Sequence, residues 1–158
     1  MSIRLLRTLT KYYDLVELAT KDRANIFVPS ELDFVPGPGD DLESMIWVLT
    51  YAMMLRHQAS LQGPAKADYK HSVVDNFYGS LSYAGLAEKR NTMVSYGTDP
   101  FDDDPEDWIP DPVQCKWFRG AMTLVAGQTA KSSSIGFKPI TFGAFDALCD
   151  EFINISNE

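Results

Sequence analysis

The chain has 158 residues, of which 45% are hydrophobic, and its formal net charge is −8. This length suits one domain with a sizeable core, and the apolar content excludes wholesale disorder. The acidic balance argues against binding to nucleic acid or to anionic lipid, which both require a basic surface. We therefore expect a single domain over residues 1–158 with neither a nucleic-acid nor a membrane partner.

The pattern of apolar residues predicts an all-α fold of about six helices. The predicted helices span about 2–20 (one or two short helices), 40–58, 66–79, 82–96, a segment that starts at Asp111–Pro112, and 139–154. Loops are predicted at 21–39, where Ile26–Val28 is a candidate extended piece, at 99–107 and at 127–136. Gln62, Gly63 and Pro64 are expected to break the chain after the second helix.

The helix predicted over 40–58 is apolar on every side, which is typical of a helix at the centre of a domain. Its apolar run from Met45 to Leu55 has eleven residues, whereas a membrane span needs about 20. Asp40 or Asp41, with help from Ser44, is expected to cap the helix start, and Glu43 is favoured by the positive helix end. The sequence therefore predicts a buried central helix with the other helices around it.

The same stretch carries a resemblance to a known family. The run from Asp40 to Tyr51 resembles the central helix of the protein-kinase C-terminal lobe, closest to the casein-kinase type and to the fungal-type protein kinases. In kinases an Asp at this helix start holds the catalytic loop, and Asp41 matches that position. Ile46 stands where many kinases carry Gly, which is similar to the fungal-type pattern. The resemblance implies a C-terminal lobe whose central helix is anchored by Asp41, Ser44, Trp47 and Tyr51.

The segment Met1–Leu6 extends this resemblance. It is similar to the end of the kinase activation segment, with Arg4 where kinases usually carry the Glu of Ala-Pro-Glu. Because this charge is reversed, the family's usual ion pair with a later Arg is in doubt. If the alignment at Met1 holds, the N-terminal lobe and the catalytic loop would both precede the first residue.

The motifs of phosphoryl transfer are absent from the sequence. The chain contains no G-x-G-x-x-G, no His-Arg-Asp and no Asp-Phe-Gly. Asp33-Phe34-Val35 lacks the glycine and lies only seven residues before the central helix. We therefore expect no catalytic, cofactor-binding or metal-binding residues and no enzyme activity in this chain, with ATP and magnesium belonging only to a missing N-terminal part.

The remaining candidate residues favour ordinary structural roles. In the acidic loop, Asp102, Asp104 and Glu106 alternate as calcium ligands do, but the glycine of the EF-hand turn is missing. His57 and His71 lack metal-site spacing, and Ser132, Ser133 and Ser134 could accept phosphate. Trp108, beside Pro110 in a predicted loop, is the best candidate for an exposed contact residue.

The two cysteines give information about the cellular compartment of the protein. Cys115 and Cys149 have no metal spacing, and no secretory signal is present, so reduced thiols in an intracellular protein, cytoplasmic or nuclear, are the simplest interpretation. The sequence also allows a single disulfide between them. The basic first twenty residues vaguely resemble a mitochondrial presequence, but an amphipathic first helix explains them better.

Three hypotheses of function follow. The first is a non-catalytic or truncated fungal-type kinase-like domain that binds a protein partner or itself. The second is the C-terminal part of an active Ser/Thr kinase, and the third is an unrelated acidic helical binding module in which the motif arose by chance. Without the preceding helix and the catalytic loop, the central helix would keep an uncovered apolar face, and such faces mark interfaces or low stability.

Overall fold

The computed structural model describes residues 1–21, 36–79, 82–98, 105, 108–129 and 137–156. Within these ranges the chain forms six helices and no strand, which confirms the all-α prediction. The helices are α1 (Ile3–Lys21), α2 (Pro38–Ser60), α3 (Gly63–Tyr69, a π-helical stretch Lys70–Val74, then Asp75–Tyr78), α4 (Tyr83–Thr98), α5 (Pro112–Thr129) and α6 (Phe142–Ser156). The candidate extended piece at Ile26–Val28, the acidic residues Asp102, Asp104 and Glu106, and the serines Ser132, Ser133 and Ser134 lie outside the described residues.

The start of α2 differs from the prediction. Gly37 is the N-cap and Pro38 is the first helical residue, because a proline at this position loses no helical hydrogen bond. Asp40 therefore lies inside the first turn, where its Oδ2 accepts the Gly37 N–H at 3.0 Å. The expectation that Asp40 or Asp41 caps the helix with Ser44 is wrong, since the Ser44 hydroxyl donates to the Asp40 carbonyl instead.

The start of α5 agrees with the prediction at Asp111–Pro112. Asp111 Oδ1 accepts the N–H groups of Val113 and Gln114 at 2.9 and 3.0 Å. A side-chain oxygen that accepts these free amides is the usual N-cap arrangement. The predicted break before α3 is also present, where Gly63 adopts a positive φ of 57° that glycine tolerates best.

Asp111→Ala should lower the free energy of unfolding by about 1 kcal/mol, because two amides at the start of α5 lose their acceptor. Asp111→Asn is the matched control, since asparagine caps helices about as well as aspartate. Urea unfolding of the three proteins measures the difference. Equal losses in the two variants would contradict a capping role.

The core forms around α5 rather than around α2. α5 packs against α2, α4 and α6, and α4 packs in turn against α1 and α3. Gly97 permits the close approach of α4 to α5, because a Cβ there would lie 2.4 Å from the Met122 side chain. The expectation that all other helices surround the helix at 40–58 is wrong, since α2 packs against α3 and α5 with one face and leaves the opposite face exposed.

Trp108 is a core residue, with only 8% of its surface exposed. Its ring contacts Phe77, Tyr96 and Phe118, with centroid distances of 4.8, 5.5 and 5.9 Å. The Tyr69 hydroxyl donates to its carbonyl oxygen. The expectation that Trp108 is an exposed contact residue is therefore wrong, because helices distant in sequence enclose it.

Candidate functional site

The two long faces of α2 differ in what covers them. One face is buried against the core, and Ile46, Trp47 and Met54 there are at most 1% exposed. The opposite face is apolar and open to solvent. We call it the open face of α2, and it consists of Met45, Val48, Leu49, Ala52 and Leu55.

The open face is a continuous stripe. Its residues recur at the three- and four-residue spacing that places side chains on one side of a helix. Val48 is 65% exposed and Met45 is 50% exposed, although both are large apolar side chains. A stripe of this kind on one helix is what an interface to another protein surface requires.

Each end of the open face carries one charged residue. Asp41 lies in the first turn of α2 and Arg56 near its last turn, and both side chains are exposed. In the described part of the chain, no hydrogen bond or ion pair holds the Asp41 carboxylate. Asp41 is therefore open to solvent at the start of α2.

The buried face of α2 contains an acidic residue, Glu43, that is fully enclosed. Its Oε1 accepts the backbone N–H of Ile3 at 2.6 Å and the indole N–H of Trp47 at 3.0 Å. These bonds tie the start of the chain to α2. Arg4 adds to the link through an ion pair of 3.5 Å with Asp40.

Arg90 of α4 lies beside this glutamate and is 7% exposed. Its guanidinium stacks over the Trp47 ring at 4.9 Å from the centroid and donates to the Met1 carbonyl. Burial lowers the pKa of Arg90 below its ordinary value, against the raising effects of Tyr78 and Glu43. Within the described residues, Glu43 Oε2 and Arg90 Nε are buried without a hydrogen-bond partner.

Burial raises the pKa of the Glu43 carboxyl above its ordinary value of 4.5, against the lowering effects of the Trp47 and Ile3 hydrogen bonds and of Arg90. The folded state therefore holds this proton more tightly than the unfolded state does. The stability that comes from the protonated carboxyl is fully present below 4.5 and is lost as pH rises through the folded-state pKa.

Glu43→Gln, which is neutral at every pH, should lose less stability than the wild type as pH rises from about 4.5 to neutrality. Urea unfolding at several pH values measures both curves. The stability difference between the two proteins should shift steadily in favour of the Gln variant over this range. Two parallel curves would contradict a raised pKa at Glu43.

Two other predicted anchors of α2, Ser44 and Tyr51, lie along one edge of the open face, next to the buried Trp47. Tyr51 is 36% exposed and packs on Tyr78, with ring centroids 4.6 Å apart. The Tyr78 hydroxyl donates to the Trp47 carbonyl at 3.1 Å. Ser44, Trp47 and Tyr51 line a cavity of about 140 Å³ that also touches Val48. The structure thus brings three of the four predicted anchors together, while Asp41 lies apart at the helix end.

A cavity lies between α1 and α4. It has a volume of about 520 Å³, is open to solvent, and has Arg7, Lys11 and Asn91 in its lining. The described residues contain no group of His, Cys, Asp and Glu that could hold a metal ion. Over the same residues, no helix is long and apolar enough to span a membrane. Cys115 and Cys149 do not form a disulfide with each other.

Comparisons of the chain with protein-family models, curated proteins and solved structures gave no match. The function of the site therefore has to follow from its own geometry. Sequence reasoning missed that Glu43 is buried and accepts hydrogen bonds from Ile3 and Trp47, because an acid near a helix start is favoured there by the helix dipole alone. A signal was present, since Glu43 lies next to Leu42 and one turn before Trp47 in an apolar helix.

Proposed function

We propose that this chain is a non-catalytic, fungal-type kinase-like helical domain that acts by protein–protein interaction through the open face of α2. The observation that carries the proposal is the apolar stripe of Met45, Val48, Leu49 and Leu55, each at least 37% exposed. The occupant that fits this stripe is an apolar helix of a protein partner, because two such faces pack by interdigitating their side chains.

The buried polar contacts support the same proposal. Glu43, Trp47 and Arg90 fix the buried face of α2 and hold it against α4 and the start of the chain. A rigid support of this kind presents the open face in one fixed conformation, which reduces the entropy lost on binding. The sequence offers no phosphate-binding loop or catalytic Asp motif that would give the domain a chemical role instead.

Site-specific photocrosslinking in living cells of the source organism tests the proposal. The photoreactive residue benzoylphenylalanine replaces Val48 in the centre of the open face, and in the matched control it replaces Thr123, which is exposed on α5. We expect a discrete protein adduct at position 48 that is absent at position 123. Equal labelling at the two positions, or none at either, would refute an interface on α2.

The second candidate is the C-terminal part of an active Ser/Thr kinase, with its ATP and magnesium sites upstream of Met1. The exposed Asp41 favours it, because in the resembling kinases that Asp holds the catalytic loop. Reading the transcript upstream of Met1 tests this candidate. A reading frame that continues upstream through a catalytic loop and a magnesium loop would establish this second candidate. Phosphorylation of a substrate by the purified chain, if the substitution Asp41→Asn abolishes it, would refute the non-catalytic proposal.

A further inference from the structure

We infer that the occupant of the open face is the α2 helix of a second copy of this chain, packed antiparallel about a twofold axis between Val48 and Leu49. This inference rests on the proposed function, since it identifies the partner at the same surface. Three properties of the face carry it: the position of its charges, the sizes of its side chains and its length.

The charges on the open face are self-complementary. Asp41 and Arg56 lie on the same side of α2 as the apolar stripe, separated by about 22 Å along the helix axis. An antiparallel pair of α2 helices places Asp41 of each copy beside Arg56 of the other. A parallel pair would instead place like charges together at both ends, which is unfavourable.

The side-chain sizes fit the same register. With the twofold axis between Val48 and Leu49, these two residues face each other across the pair, and Met45 faces the small Ala52. Large side chains opposite small ones let two helices interdigitate at the usual separation of about 8–10 Å. The antiparallel register therefore satisfies both the apolar and the charged residues of the face.

The length of the face sets the strength of the pair. With its two flanking charges, from Asp41 to Arg56, it extends about 22 Å, so one helix pair buries less than the roughly 800 Å² per partner of a standard interface. We therefore expect a dimer that forms reversibly in the micromolar range. The net charge of −8 on each copy also opposes association. At about 0.15 M salt, the repulsion between charges more than about 8 Å apart is largely screened.

Sedimentation velocity of the purified chain from about 1 µM to about 1 mM tests the inference over the range expected for a small interface. The variants are Asp41→Arg and Arg56→Asp. In a dimer of either variant, residues 41 and 56 carry the same charge and face each other at both ends of the helix pair. Each alone should weaken dimerisation at least about 10-fold. An equimolar mixture of the two variants should form a heterodimer, because the two basic side chains of one variant then face the two acidic side chains of the other.

Circular dichroism melting of both variants is the control for folding, and it should show intact helices because both positions are exposed. A wild-type chain that stays monomeric over the whole range, or a mixture that fails to recover the dimer, overturns the second-copy inference. If the wild type is monomeric while position 48 crosslinks to a different protein, only this inference fails. If position 48 also gives no specific adduct, the proposed function fails with it.

Discussion

Trp47→Ala should lower the free energy of unfolding by about 3–5 kcal/mol, the largest effect expected of any substitution in α2. The indole is 1% exposed, donates to Glu43 and carries the Arg90 guanidinium on its face. Its removal leaves a cavity, takes a hydrogen-bond donor from Glu43 and uncovers one face of the Arg90 guanidinium. Since a domain of this size has a total stability of about 5–15 kcal/mol, the variant should lose a substantial part of its stability.

Urea unfolding followed by circular dichroism measures this effect, and two variants control for it. Trp47→Phe keeps an aromatic ring but loses the N–H donor, so its loss should be smaller than that of the Ala variant. Val48→Ala, one residue along on the open face, should change the stability by no more than about 0.5 kcal/mol. Similar losses at positions 47 and 48 would contradict the assignment of the two faces.

Glu43→Ala should cost about 3 kcal/mol, the second large effect. The substitution leaves the buried Ile3 N–H and Trp47 indole N–H without their acceptor. A buried donor that loses its partner costs more than the net contribution of the original bond. The start of the chain should also separate from α2, because the Ile3 bond holds it there.

The controls for Glu43 separate the acceptor role from general effects of charge. Glu43→Gln keeps a side-chain oxygen in place and should cost only about 1 kcal/mol. Glu88→Ala removes an exposed acid from α4 and should change stability by no more than about 0.5 kcal/mol. Hydrogen exchange at the Ile3 amide is the direct measurement, and protection that survives in the Ala variant would rule out the proposed acceptor role.

Local chemistry predicted several features of the fold. The helix count, the helix start at Asp111–Pro112 and the break at Gly63 depend on residues close together in the chain, so the sequence alone predicted them. The start of α2 was misplaced because a proline in the first turn can lie inside a helix as well as before it. Such errors in the position of a helix start amount to only a few residues, because capping residues and prolines act within a single helical turn.

The sequence did not predict how the helices pack against one another. Because α2 is apolar on all sides, nothing in its pattern tells which face the other helices cover. Trp108 is buried by Phe77, Tyr96 and Phe118, which come from three different helices. The surroundings of Glu43 likewise include Arg90, which comes from another helix, α4, and lowers the pKa of the glutamate. Such features depend on helix packing, which the spacing of residues along the chain does not specify.

The positions of the tryptophans have a spectroscopic consequence. Trp47, Trp108 and Trp117 are all at most 8% exposed, so their emission should be that of indoles shielded from water. Unfolding should shift this emission to longer wavelengths, whereas occupation of the open face, which contains Met45, Val48, Leu49, Ala52 and Leu55, should leave it nearly unchanged. Intrinsic fluorescence therefore separates loss of the core from loss of association in the same sample.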